Sequence, residues 1–484
     1  MSEERIIGRQ KEKAILELAS KSPEPEFVAV YGRRRVGKTH LVREFYGDAI
    51  CFEIIGKHGV TLREQLDNFA QALGKAIAMG IQPQRPSSWS EAFRQLEQFM
   101  ESSQKEQSGK RVVFLDELPW LNTPRSRFLS SLEHFWNSWG SRQIDFILVI
   151  CGSAASWMLQ NIVRAKGGLH NRLTRQIRLL PFTLRESEVL LKSRGVDLTP
   201  LQIVELYMAM GGIPHYLKQT EPGLSAAQII DKVCFSSQGL LREEFNKLYV
   251  SLFDESERHE KIIEILAKKR QGLSRGEILQ SIRLGTGGSA SRRLEELEES
   301  GFILSRIPFG KKTNDMLYRL SDEYSLFYLD WIKKLGKRSP GDGYWLSQQN
   351  SPHRRAWAGY AFESLCLKHA QRLKAALGIT GVETTEAPWR YQSTEKSPIP
   401  GAQIDLLIDR RDNTINVCEM KFSESEFTID KQYAGDLRRK LQVFRQVTGT
   451  RKNVFLTMVT TFGVTNNAYA KELVANSLTL EDLF

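Results

Sequence analysis

Phe27-Val28-Ala29-Val30-Tyr31-Gly32-Arg33-Arg34-Arg35-Val36-Gly37-Lys38-Thr39 decides how the chain is read. The first five residues are a strand-sized apolar run, and the next eight fit GxxxxGK[ST] without departure. Leu41-Val42-Arg43-Glu44-Phe45 continues as a helix. Such a loop turns its backbone N–H groups inward around a phosphate, and glycines permit the close approach. The candidate nucleotide-binding stretch is therefore Gly32, Arg33, Arg34, Arg35, Val36, Gly37, Lys38, Thr39 and His40. Lys38 supplies a charge for the β and γ phosphates, and Thr39 a hydroxyl for Mg²⁺. The helix N-terminus adds partial positive charge. ATP and Mg²⁺ are the expected cofactors.

A carboxylate for the metal side comes from Val112-Val113-Phe114-Leu115, an apolar run ending in Asp116-Glu117. Asp116 is assigned to Mg²⁺ and Glu117 to orienting and deprotonating the attacking water. A further strand, Phe146-Ile147-Leu148-Val149-Ile150-Cys151, ends in Gly152-Ser153, which makes Ser153 a candidate γ-phosphate contact. Arg172 or Arg175 is the candidate arginine finger, with surface arginine as the plain alternative.

Composition sets limits on the rest. At 484 residues the chain is too long for one hydrophobic core, so several domains are expected. Apolar residues at 41% and aromatics at 10% exclude a mainly disordered chain. The net charge of +11 permits a polyanionic partner but, spread over this length, does not demand one. No apolar run reaches the ~18 to 20 residues of a membrane span, and Met1-Ser2-Glu3-Glu4-Arg5 contains no apolar signal core, so a cytoplasmic location without a membrane partner is expected. Cys51, Cys151, Cys234, Cys366 and Cys418 form no CxxC pair and the histidines no metal-ligand spacing, which sets zinc and redox chemistry aside.

From Glu257 to Leu320 the pattern becomes helical and then strand-like. Ile262, Ile263, Ile265 and Leu266 make an apolar face, Ser274 is a plausible N-cap for a second helix, and Ser289 to Ser300 gives a third. Two strands, Gly301–Leu304 and Leu317–Leu320, flank a loop with Lys311-Lys312. Thirteen Lys/Arg against nine Asp/Glu suit phosphate contacts at Arg292, Arg293, Lys311 and Lys312, although a solvated face explains the same charges. Ser321 to Trp331 reads as an aromatic packing seam, and Lys337 to Gly343 as a linker.

The last 130 or so residues hold a second constellation. Glu363 lies in a buried helical run, Asp405 interrupts the apolar strand Ile404–Ile408, and Glu419 and Lys421 share a face of Asn416–Phe422. Fourteen residues separate Asp405 from Glu419, suited to neighbouring strands joined by a turn at Arg410 to Asn413. Carboxylates and a lysine converging on one edge can bind Mg²⁺ and activate water against a phosphodiester. Glu363, Asp405 and Glu419 are then candidate metal ligands, Lys421 steadies the nucleophile or the transition state, and Gln403 is a helper. The plain alternative is a fold kept for binding, with Glu419 and Lys421 as an ion pair.

Gly8-Arg9, Gly32 to Thr39, Asp116-Glu117, Gly152-Ser153, Leu179-Leu180-Pro181-Phe182 and Gly211-Gly212-Ile213-Pro214-His215-Tyr216-Leu217 together resemble the archaeal-type ATPases on the AAA+/STAND side of the P-loop NTPases. The resemblance spans roughly Arg5 to Val250. It implies an α/β fold with a parallel sheet, then a helical lid closed by the GGxPxYL signature, and places Gly8-Arg9 near the adenine. The middle segment resembles a winged helix-turn-helix, which implies DNA as a partner. The tail resembles the PD-(D/E)XK restriction-endonuclease-like fold, with Ile404 in place of the family's proline. The resulting division is a P-loop core over 1–180, a lid over 181–254, a winged helix over 255–322, a seam and linker over 323–350 and a nuclease-like domain over 351–484. The whole is similar to prokaryotic ATPases with a C-terminal domain of unknown function, and relatives of this architecture imply defence against foreign DNA or signalling. Three readings follow: an ATP-driven DNA-binding enzyme with a cutting tail, an ATP-dependent assembly switch with a silent tail, and a winged-helix transcription regulator. A homo-oligomer is compatible with all three.

Overall fold

The computed structural model describes residues 6–77, 83–102, 109–153, 155–163, 169–253, 255–282, 288–336, 340–393 and 399–484. The expected linker at Lys337 to Gly343 lies partly outside them. The chain divides into two compact units, residues 1–181 and 182–484. Among the described residues no helix is long and apolar enough to cross a membrane.

The first unit is built on five parallel strands: β1 (Glu26–Tyr31), β2 (Ile50–Ile55), β3 (Arg111–Asp116), β4 (Phe146–Gly152) and β5 (Arg175–Arg178). Their order is β2-β3-β4-β1-β5. Every residue of β1 and β4 is buried, which is why they read as unbroken apolar runs: helices cover both faces of a parallel sheet. Phe27, Trp136, Phe146, Phe93 and Phe135 interlock on one face, with Phe93 and Phe135 stacked at 5.1 Å. Because β4 lies between β1 and β3, the loop after β1 and the acids ending β3 are brought to the same edge with the end of β4 between them. Ligands of open parallel sheets bind at this carboxyl edge.

The second unit begins with helices Leu184–Ser193, Pro200–Met210 and Pro214–Leu217. The glycine pair between the last two is sterically required. A Cβ on Gly212 would lie 2.0 Å from the Phe182 carbonyl oxygen, which also accepts from the Tyr207 hydroxyl at 2.7 Å.

Helices Ser256–Lys268, Arg275–Ile282 and Gly288–Glu299 follow, with a three-stranded antiparallel sheet of β6 (Leu273–Ser274), β7 (Ile303–Arg306) and β8 (Leu317–Leu320) in the order β6-β8-β7. Ser274 caps the second helix reciprocally with Glu277. Leu273 and Ser274, just ahead of that helix, also pair with Tyr318 and Leu317 as a short strand.

The aromatic seam forms a cluster in which Trp345 lies 5.2 Å from Phe327, 4.9 Å from Trp331 and 5.5 Å from Trp357. Asp231 is buried there and accepts from the backbone N–H groups of Gly343 and Trp345.

The tail is a mixed sheet of β9 (Thr384–Tyr391), β10 (Ala402–Arg410), β11 (Thr414–Lys421), β12 (Asn453–Thr460) and β13 (Val474–Leu478). The order is β13-β12-β11-β10-β9, antiparallel from β9 to β11 and parallel from β11 to β13. Helix Pro352–Lys368 packs on β11, and Leu437 and Phe444 of helix Lys431–Thr448 join Val417, Leu407 and Met458 in the core.

Candidate functional site

The loop after β1 owes its shape to positions that only glycine fills without strain. Gly32 has φ +152°, and a Cβ there would stand 2.2 Å from the Leu179 carbonyl oxygen, on the chain continuing from β5. Gly37 has φ +95°, and Arg35 is held at φ 70° between them. Arg33 and Lys38 are buried, Val36 is buried, and Arg34 is exposed. His40 projects outward with half its side chain exposed, 3.9 Å from Glu44 one turn on.

Two short networks join the loop to the strands beside it. The Thr39 hydroxyl donates to Asp116 Oδ2 at 2.7 Å, while Asp116 Oδ1 accepts from the Glu117 N–H at 2.9 Å. Asp116 is 2% exposed, so its charge is oriented by these donors and shielded from bulk water. Lys38 Nζ donates to the carbonyls of Gly32 and Arg33 and, at 3.1 Å, to Ser153 Oγ. Ser153 Oγ in turn donates to Glu117 Oε1 at 2.6 Å, and its N–H reaches Glu117 Oε2 at 3.2 Å. Ser153 thus bridges the Lys38 ammonium and the Glu117 carboxylate. Glu117 stands at the left-handed φ of 48°, a backbone conformation that non-glycine residues adopt at a cost. Thr39 and Asp116 are hard oxygen donors beside a phosphate cradle, a donor set that fits Mg²⁺ completed by phosphate and water oxygens.

The flanking arginines divide by their partners. Arg175 pairs with buried Glu26 at 2.8 Å and is spent on fixing β5 to β1. Arg172 is exposed on the turn before it. Arg9, buried, donates to the carbonyls of Leu180 (2.7 Å) and Val36 (3.0 Å), so it pins the loop from beneath. The sequence flagged Gly8-Arg9 but not this contact with the loop.

In the tail, Asp405 and Glu419 fall on the neighbouring strands β10 and β11, joined at residues 411–413 with Asn413 at φ 60°. The three carboxylates do not form one centre. Among the described residues no three His, Cys, Asp or Glu side chains group as metal ligands. Glu363, the expected third ligand, is drawn to Arg319 of β8 at 2.5 Å. Burial raises its carboxyl above the usual range against the pull of Arg319, and the charges of Asp405 and Glu419 add to that rise. Glu419 is buried too, but Lys440 at 2.5 Å, Lys421 at 3.5 Å and the Tyr433 hydroxyl at 3.0 Å outweigh the burial and hold it below the usual range. Asp405 accepts from the Gln403 amide at 2.7 Å. Each acid is therefore matched to its own donor. Lys440 and Tyr433 lie on a helix with no motif to mark them, and Arg319 is 44 positions from Glu363, so the sequence carried no signal for these pairings.

The middle module corrects one expected phosphate contact. Arg293 is 6% exposed and bonds Glu255 and the Ser289 carbonyl, because position 293 faces the first helix of the module. Arg292 pairs with Glu296 at 2.8 Å. Lys311 and Lys312 are exposed, but the loop bearing them is anchored where the Phe309 N–H donates to the Pro388 carbonyl and its ring meets Phe444 at 5.6 Å.

Over 438 residues, 90% of this chain and 91% of the relative, the sequence is 22% identical to an uncharacterized protein of Methanocaldococcus jannaschii. Among solved structures, the Walker-type ATPase of Pyrococcus abyssi is similar with TM-score 0.46 and 17% identity, over 67% of this chain and 96% of that one. The ORC2 protein of Aeropyrum pernix, in its ADPNP–ADP complexes, gives TM-score 0.40 and 16% identity over 69% and 96%. Residues 7–220 match the family described as an ATPase domain predominantly from Archaea, and the loop after β1 with its neighbouring strand ends lies inside that match.

Proposed function

We propose that the chain is an ATP-binding and ATP-hydrolysing switch of the AAA+/STAND kind. The observation that carries this is the continuous network Lys38–Ser153–Glu117 beside Thr39–Asp116 at the carboxyl edge of the parallel sheet. Backbone N–H groups of residues 32–39 and Lys38 bind the phosphates. Glu117 accepts the proton of the attacking water, and Ser153 keeps its carboxylate oriented until the phosphate arrives. Thr39 and Asp116 would hold Mg²⁺, which would neutralise phosphate charge there. Arg172, exposed at the edge of the unit, is the residue we assign as an arginine finger, and a finger acting between copies would make the homo-oligomer the active form.

For the second unit, the three helices and antiparallel sheet of residues 256–320 support a winged-helix reading with DNA as partner, through Arg292, Lys311 and Lys312 and without Arg293. A silent tail that serves assembly is favoured by the separate pairing of Glu363 with Arg319 and Glu419 with Lys440. As arranged these carboxylates do not fit a metal centre, and no step is drawn through one. The reading of the tail as a PD-(D/E)XK nuclease rests on Asp405 and Glu419 occupying neighbouring strands with Lys421 beside Glu419.

The test is ATP turnover with Mg²⁺ by wild type, Lys38→Ala and Glu117→Gln, run with a plasmid-cleavage assay on wild type and Asp405→Ala. Glu117→Gln is expected to lower turnover ~10²- to 10⁴-fold while retaining nucleotide, and Lys38→Ala to lose both. Unchanged turnover in Glu117→Gln would refute the assigned base. Cleavage present in wild type and lost in Asp405→Ala would replace the silent tail with the nuclease.

A further inference from the structure

Arg9 is 5% exposed and enters helix Gln10–Lys21 from a turn in which both Gly8 (φ 62°) and Arg9 itself (φ 58°) are left-handed. A non-glycine residue held there carries strain that the surrounding structure must offset. The turn carries the side chain inward, with Nη1 donating to the Leu180 carbonyl at 2.7 Å and Nη2 to the Val36 carbonyl at 3.0 Å. Glu12, in the first turn of the helix, stands 3.8 Å from Nη1. Hydrogen bonds from a charged donor are roughly twice as strong as neutral ones, so both carbonyls are firmly held.

The two carbonyls sit at different places in the glycine-rich loop's surroundings. Val36 lies inside the loop, immediately before Gly37 and Lys38. In a trans peptide the C=O of one residue and the N–H of the next point in opposite directions, and the Val36–Gly37 peptide is trans. Holding the Val36 oxygen toward Arg9 therefore turns the Gly37 N–H to the opposite side. Gly37, at φ +95°, has the freedom to let this peptide swing over, since glycine occupies both signs of φ. Leu180 follows Leu179, whose carbonyl oxygen a Cβ on Gly32 would meet at 2.2 Å. One guanidinium thus ties the far end of the loop to the segment against which its near end already rests.

We propose that Arg9 is a positioning residue for the nucleotide phosphates: it holds the Val36–Gly37 peptide so that the Gly37 N–H faces the phosphate, and itself touches neither phosphate nor base. A cation on the carbonyl also polarises the peptide, which strengthens its N–H as a donor to an anion. The assignment rests on the reading of residues 32–39 as a phosphate-binding loop. It differs from the adenine contact that the resemblance implies for Gly8-Arg9.

The experiment is steady-state ATP turnover with Mg²⁺ by the full chain as wild type, Arg9→Met and Arg9→Lys. Inorganic tripolyphosphate, which has no base, serves as competitor, and the unfolding midpoint of each variant is recorded. Arg9→Met keeps an unbranched side chain and removes every donor, whereas Arg9→Lys keeps a charged donor. In Arg9→Met the KM for ATP and the inhibition constant of tripolyphosphate are expected to rise together by ~10-fold or more, with kcat within about threefold of wild type, because a weakened phosphate contact is lost from ground and transition state alike. Arg9→Lys is expected to fall between the two. Should Arg9→Met fail to fold, Arg9→Lys decides: a rise in KM of ~3-fold or more supports the proposal, and a wild-type KM overturns it. A fall in kcat at unchanged KM, tracking a lower unfolding midpoint, would make the role structural and overturn it. So would a rise confined to ATP with tripolyphosphate unaffected, which would give Arg9 to the base. A wild type that neither binds nor turns over ATP would refute the loop reading itself, and this assignment with it.

Discussion

Ser153 is the residue on which the first site turns, because a single hydroxyl accepts from Lys38 and donates to Glu117. In Ser153→Ala the carboxylate loses its short side-chain donor and keeps only the longer contact to the N–H of residue 153. Turnover is expected to drop ~10- to 150-fold, since one neutral-to-charged hydrogen bond contributes about 1.5–3 kcal/mol, while nucleotide affinity shifts only a few-fold. Steady-state turnover beside equilibrium nucleotide titration checks this; a loss of affinity as large as the loss of turnover would show that Ser153 serves binding instead. Lys38 and Thr39 could be picked out from one chain because a loop motif fixes their spacing, and Asp116 because it ends an apolar strand run. The bridging geometry of Ser153 could only be guessed, because it depends on which strand lies between β1 and β3.

At the scale of elements, the turn leaving β1 is fixed by close approach to the chain leaving β5. Gly32→Ala would place a methyl 2.2 Å from a backbone carbonyl that β5 holds in the sheet, at a φ that alanine rarely adopts. Strain of ~1–3 kcal/mol or more is expected, seen as a lower unfolding midpoint and as lost nucleotide binding together. A variant that kept both would show that the loop can retreat. Strand runs such as Phe27–Tyr31 and Phe146–Cys151 were legible because a sheet covered on both faces requires continuous apolar sequence. The anchoring of the β7–β8 loop was not. Arg306 and Glu386 are 80 positions apart, and nothing in the local pattern around either distinguishes a partner in the tail from open solvent.

Over the whole molecule, stability against acid has an identifiable contributor. His369 is buried beside the Tyr207 ring, its Nδ1–H donates to the Leu365 carbonyl, and burial, with Lys368 and Arg372 nearby, pushes it down to about 4 from an ordinary 6.5. Above pH 6.5 neither the folded nor the unfolded form carries its proton, so stability is unaffected. Between about 6.5 and 4 the unfolded form takes up a proton that the folded form refuses, and stability falls with pH by up to about 3 kcal/mol. The midpoint of chemical unfolding, followed over this range, should fall more steeply in wild type than in His369→Gln; parallel slopes would remove His369 as the cause. The division of the chain was only partly legible. The seam at 321–331 was visible as aromatic residues, whereas its joining to Phe235 and Trp357 needs contacts from Phe327 across 92 and 30 positions.

That seam bears on how the protein can be dissected. Trp357 belongs by sequence to the tail, yet its ring is walled in by Phe327, Trp331 and Trp345, and the neighbouring Arg354 is bound to Glu205. A fragment trimmed at residue 350 would carry away a bare indole and an orphaned guanidinium, and leave behind a socket with its plug removed. Expressed apart, the two pieces would be greasy where the parent is sealed, and their behaviour would report the wound more than the biology.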